Sequence, residues 1–89
     1  MSGWYLYIVR CADESLYTGI ARSVEARVAQ HNGGDRGGAR YTRSRRPVQL
    51  VYSEQFDSRS AAARREASIK RMSKSAKERL VGSFVAPPQ

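Results

Sequence analysis

Trp4-Tyr5-Leu6-Tyr7-Ile8-Val9, followed after a short polar break by Leu16-Tyr17-Thr18-Gly19-Ile20, is the stretch that decides how this chain folds. The first run is short, aromatic and β-branched, which suits a strand buried on both faces. Ala12-Asp13-Glu14 is a turn, and Ser15 to Gly19 returns as a second strand. Loop length then sets the register. A two-residue loop at Asp13-Glu14 pairs Arg10 with Tyr17 and sends Tyr7 and Tyr17 to opposite faces. A three-residue loop pairs Cys11 with Ser15, Val9 with Tyr17 and Tyr7 with Gly19, placing both phenols on one face. We adopt the three-residue form, although its left-handed position falls on Glu14 rather than on glycine, at a cost of about 1 kcal/mol.

Outward from this hairpin, Ser23 caps a helix running to about Asn32, which Gly33 and Gly34 stop. Gly33 to Arg46 is rich in glycine and arginine, with room for one helical turn near Ala39-Arg40-Tyr41. Pro47 leads into a third strand, Val48 to Tyr52 or Glu54. Asp57 or Ser58 caps a long helix reaching about Met72. Ser75-Ala76-Lys77-Glu78 reads as a capping box opening a last short helix that Gly82 ends, and the Pro87-Pro88 tail frays. The order is ββαβαα, an α/β domain over residues 1–83 with a C-terminal tail, 84–89.

At 89 residues the chain is one domain, and its 40% hydrophobic content supports a folded core rather than a basic tail. Lys and Arg number 16 against 8 Asp and Glu, a net charge of +8. A domain this basic neutralises a polyanion, nucleic acid first and an anionic membrane surface second. Cys11 is the single cysteine, so there is no internal disulfide, and no Cys/His cluster has zinc spacing. No basic n-region opens the chain, and Trp4–Val9 is shorter than a signal h-region. No stretch approaches membrane-spanning length, and the reading is a cytoplasmic protein.

Candidate chemistry lies on three elements. On the first helix Ala21, Val24, Val28 and His31 form an apolar stripe, with Arg27 on its edge one turn before His31. The plainer account makes Arg27 a solvated arginine and His31 a satisfied helix-end histidine. On the long helix Ala62, Glu66 and Ile69 share a face, which sets a carboxylate in the middle of the apolar stripe. A buried carboxylate is ordinarily paired or bound to metal. Its rival is a helical ion pair with Lys70, which would not require the inward face. Tyr5, Tyr7 and Tyr17 are good strand residues in their own right, and Gly19 is either a bulge or a gap that admits a phosphate or another backbone.

Taken in order, Tyr5-Leu6-Tyr7, Tyr17-Thr18-Gly19, Arg27 and Glu66 resemble the GIY-YIG nuclease superfamily, from Trp4 to about Val81. Gly38-Ala39-Arg40-Tyr41-Thr42-Arg43 and Arg64-Arg65-Glu66 are similar to its small, stand-alone, single-domain bacterial branch. The resemblance implies a three-stranded antiparallel sheet flanked by helices. It also implies that Tyr7 and Tyr17 are the tyrosines of the two half-motifs and Arg27 the helix arginine. His31 stands where relatives carry tyrosine or histidine, and Glu66 is the ligand of a single divalent ion, Mg²⁺ or Mn²⁺. Two positions depart from the pattern. Tyr5 stands where the family name has glycine, and Ile20 where repair-incision relatives carry a lysine that steadies the transition state.

The expected function is metal-dependent hydrolysis of phosphodiester bonds in nucleic acid, DNA before RNA, with low sequence specificity. Tyr17 would take a proton from the attacking water, helped by the metal and cationic surroundings. Tyr7 would orient Tyr17 or the water, Arg27 would neutralise a non-bridging oxygen, and His31 would relay a proton or bind phosphate. Gly19 and the arginines Arg36, Arg40, Arg43, Arg45 and Arg46 would contact the nucleic-acid backbone. Two rivals stand beside the enzyme: a non-catalytic nucleic-acid-binding module on a degenerate nuclease fold, and a DNA-repair accessory that depends on a protein partner.

Overall fold

The computed structural model describes residues 3–33, 42 and 44–84. Its elements are β1 (Trp4–Arg10), β2 (Leu16–Ala21), α1 (Val24–Gly33), β3 (Gln49–Phe56), α2 (Arg59–Lys70) and α3 (Lys74–Gly82). The sheet is antiparallel in the order β2-β1-β3, so the first strand is central, as its continuous apolar run requires. Leu6, Tyr7, Ile8 and Val9 are all buried.

The hairpin takes the three-residue register. Tyr7 lies across from Gly19 and Val9 from Tyr17. Cys11 N–H donates to the Ser15 carbonyl at 2.8 Å, and Glu14 N–H donates to the Cys11 carbonyl at 2.9 Å. Glu14 carries the strained backbone, with φ of 71°. Asp13 helps hold the turn, its Oδ1 accepting from Ser15 N–H at 3.1 Å.

Alternation sends odd and even positions of β1 to different helices. Tyr7 and Val9 pack with Cys11, Ala21 and Val48 against Val24 and Val28 of α1. Leu6 and Ile8 pack with Tyr52 and Ile69, joined by Leu16, Ile20, Met72 and Leu80. A bulge maintains this division on β3: Ile8 faces Tyr52 and Val9 faces Leu50, so Val51 is the extra residue. Leu50 therefore joins the α1 side and Tyr52 the other, although alternation alone would put them together.

Several boundaries differ from expectation. β2 runs on to Ala21 and β3 to Phe56, because β1 offers them partners as far as Tyr5 and Trp4 respectively. Ser58, one of the two candidate caps, caps α2 by accepting from Ala61 N–H at 3.1 Å. The cap of α3 is Ser73, which accepts from Ala76 N–H, rather than the box on Ser75. Glu78 is not spent on the helix end: it takes both guanidinium nitrogens of Arg10, at 2.8 and 2.9 Å. The turn expected near Ala39-Arg40-Tyr41 lies outside the described residues. Phe84, placed with the tail in the sequence reading, stacks near Tyr52 with ring centroids 5.6 Å apart. Among the described residues no helix is long and apolar enough to cross a membrane.

Candidate active site

Gly19 is where the site begins. A Cβ at this position would lie 2.7 Å from the Tyr7 hydroxyl and 2.8 Å from Tyr7 Cζ. The space left by the missing side chain is filled by the phenol of the facing strand, not by a phosphate. Gly19 is buried, so the expected nucleic-acid contact there is replaced by a packing role.

Tyr7, 1% exposed, shares a hydrogen bond of 2.8 Å with His31 Nε2. His31, wholly buried, shares another of 2.7 Å between Nδ1 and the Thr42 hydroxyl, itself buried. Burial raises the Tyr7 phenol to about 12; Tyr17 and Glu66 add to the rise, and the charge and hydrogen bonding of Arg27 oppose it. Burial lowers the His31 imidazole below its ordinary range, with Arg27 and Arg46 pushing the same way. At neutral pH the pair is therefore an uncharged phenol on an uncharged imidazole. Two tautomers satisfy both bonds: the phenol donates to Nε2 while Nδ1–H donates to Thr42, or Nε2–H donates to the phenol while the Thr42 hydroxyl donates to Nδ1. With both ring nitrogens engaged and no exposed surface, His31 supports Tyr7 and is shielded from a phosphate.

Tyr17 stands partly exposed beside them, its ring centroid 6.5 Å from that of Tyr7 and 5.3 Å from that of His31. Arg27 is partly exposed on α1 and donates to Gln30 Oε1 at 2.8 Å. Glu66 projects from α2 with its side chain 24% exposed and meets Lys70 at 3.2 Å. The helical ion pair of the sequence reading is therefore formed, by a carboxylate that keeps a half-buried position. Ile20 faces away from Tyr7 and packs in the cluster around Leu6 and Ile8, so position 20 serves the core here.

Of the arginines expected to follow a nucleic-acid backbone, Arg36, Arg40 and Arg43 lie outside the described residues. Arg45 pairs with Asp13 at 3.0 Å, and Arg46 Nε donates to the His31 carbonyl. Both hold the fold together. Sequence reasoning missed Thr42, which stands between Tyr41 and Ser44 in an arginine-rich stretch with no periodicity to single it out. It also missed Asn32, whose carboxamide donates to the Val48 carbonyl at 2.9 Å and accepts from Val48 N–H at 2.6 Å. This pairing ties the end of α1 to the entry of β3.

A divalent ion fits the residues present only in one form. Among the described residues no group of three or more His, Cys, Asp or Glu could enclose a metal, which rules out a protein cage there. A single half-buried carboxylate suits a hard cation that keeps most of its waters and takes the rest of its ligands from substrate phosphate.

The family model of the GIY-YIG catalytic domain matches residues 3–79. The chain belongs to the GIY-YIG family. A UPF0213 protein of Natronomonas pharaonis is 57% identical over 77 residues, covering 86% of this chain and 88% of that protein. One from Staphylococcus saprophyticus is 52% identical over 81 residues, covering 91% and 96% respectively. The solution NMR structure of a UPF0213 protein from Bacillus halodurans superposes with a TM-score of 0.60 at 40% identity, over 96% of this chain and 88% of that one. These matches place the chain among the small stand-alone GIY-YIG proteins, within a nuclease family, and agree with the antiparallel sheet and flanking helices seen here.

Proposed function

We propose that this protein is an endonuclease that hydrolyses phosphodiester bonds in DNA with a single Mg²⁺ or Mn²⁺ and little sequence specificity. One observation carries the reading: the phenol of Tyr7 is hydrogen-bonded to His31 of α1 and flanked by the ring of Tyr17 of β2, with the charges of Arg27 and Glu66 in reach of it.

Glu66 would hold the ion, with Lys70 giving way as the more exposed partner of the pair. The ion would supply positive charge at the scissile phosphate and the leaving oxygen. Arg27 presents forked donors to a non-bridging oxygen, which gains charge as water adds to phosphorus. Tyr17, the more exposed phenol, takes the proton of the attacking water. Tyr7 is too buried and too weakly acidic to be that base; it fixes the position of Tyr17's neighbours through His31 and Thr42. The Lys70 pair and the apolar Ile20 favour a second reading, a nucleic-acid-binding module without cleavage.

One assay separates them. Purified protein is mixed with nicked, flapped, single-stranded and duplex DNA in Mg²⁺ or Mn²⁺. The enzyme reading expects cleavage that falls about 10²-fold or more in Tyr17→Phe, and is lost in Glu66→Ala, while DNA binding persists. Equal cleavage by parent and both variants would trace the activity to a contaminant. Binding without cleavage under every condition supports the module.

A further inference from the structure

Trp4 opens β1 with two guanidinium groups drawn to its indole. Arg22 Cζ and Arg59 Cζ each lie 5.7 Å from the ring centroid, within cation–π range. Both arginines are exposed, and neither has a carboxylate partner among the described residues. Arg10, Arg45 and Arg65, by contrast, each hold one. Two guanidinium groups held on one indole without a carboxylate make a local concentration of positive charge that an anion can join.

The position of the pair says which anion. Arg22 follows directly on β2, across from Trp4 by the register that joins Tyr5 to Ala21. Arg59 is the first residue of α2 and shares a stripe with Ala62, Glu66 and Ile69. Two helical turns separate Arg59 from Glu66, about 10 Å along the axis at 1.5 Å per residue. That span is short enough for one stretch of nucleic-acid strand to meet both residues. We infer that Arg22, Trp4 and Arg59 form a clamp for the sugar–phosphate backbone of the strand whose scissile phosphate lies at Glu66. The indole aims the cations, and the cations take the phosphates. The inference rests on the nuclease reading for its substrate and extends it to a second contact on the same strand.

Trp4 is the chain's one tryptophan, so its emission reports on the clamp alone. The Tyr17→Phe protein is titrated with a labelled single-stranded oligonucleotide, a duplex and inorganic phosphate. Anisotropy and tryptophan emission are followed together at several salt concentrations. DNA binding is expected to change Trp4 emission in step with anisotropy, with inorganic phosphate far weaker. The Arg22→Ala/Arg59→Ala double variant should bind roughly tenfold or more weakly. Its salt dependence, the slope of log affinity on log salt, should be shallower by about 1.4 for single strands and 1.8 for duplex. The Arg22→Lys/Arg59→Lys variant should recover most of the slope. Unchanged affinity and slope in the alanine double variant, or binding by anisotropy with Trp4 emission unmoved, would overturn the clamp. Parent protein that binds no DNA by either signal overturns both clamp and nuclease. A clamp that behaves as expected in a protein that never cleaves overturns only the nuclease.

Discussion

The two faces of β1 come from one six-residue apolar run, yet they are different kinds of interior. Toward α2 and α3, Leu6 and Ile8 meet Ile69 and Tyr52 in a cluster held by apolar contact. Toward α1, Tyr7 brings a hydroxyl into the core, and His31 and Thr42 are buried to satisfy it. No buried side-chain nitrogen or oxygen among the described residues lacks a partner. A polar group costs several kcal/mol when buried unpaired, so each member of that chain obliges the next. Strand alternation thus lets one element make an apolar core on one side and hold a buried hydrogen-bonded chain on the other.

The sharpest way to break this contrast is to cut each face in turn. Ile8→Ala should lower unfolding free energy in urea by about 2–5 kcal/mol while leaving the Tyr7–His31 bond in place. A small loss would mean that the apolar face collapses around the gap. Gly19→Ala attacks the other face by pushing a methyl group into the Tyr7 hydroxyl. It should cost about 1–3 kcal/mol and remove cleavage, because the displaced phenol cannot keep its bond to His31. A fully active Gly19→Ala protein would show that Tyr7 has room to spare.

Acid sharpens the comparison further. The folded His31 binds its proton less readily than the unfolded chain does, since burial and two arginines oppose the charge. Both states are neutral above the unfolded pKa near 6.5, so the penalty is absent there. As pH falls through that value the unfolded state gains the proton first, and stability declines by up to about 1.4 kcal/mol per pH unit. Urea melts from pH 7.5 to 5.5 should show this slope in the parent and not in His31→Gln. An equal slope in both would place the titration elsewhere. The smallest effect lies outside both faces. Glu14→Gly relieves a left-handed backbone and should stabilise by no more than about 1 kcal/mol with cleavage unchanged.

Much of this was legible in the residues. The apolar run gave the central strand, and the demand that two phenols share a face selected the hairpin register against the preference of Glu14. The face of Glu66 followed from its spacing with Ala62 and Ile69. What stayed hidden depends on contacts between distant parts of the chain. The bulge at Val51 has no local signature, because only the pairing to β1 makes it extra. Thr42 is marked by nothing until His31 lies against it, and Glu78 looked like a cap until Arg10 claimed it. Arg45 and Arg46, expected on a nucleic-acid backbone, have contacts with Asp13 and the His31 carbonyl that stayed hidden for the same reason.

The carboxamide of Asn32 has a consequence for how the protein can diverge. By grasping both hydrogen-bonding groups of Val48, it closes a ring of chain whose two ends meet at one side chain. Closure entropy alone would let the length between them double for about 0.6 kcal/mol. Change there is nevertheless bounded by Thr42, which must still reach His31, and by Arg45 and Arg46, which must still reach Asp13 and the His31 carbonyl.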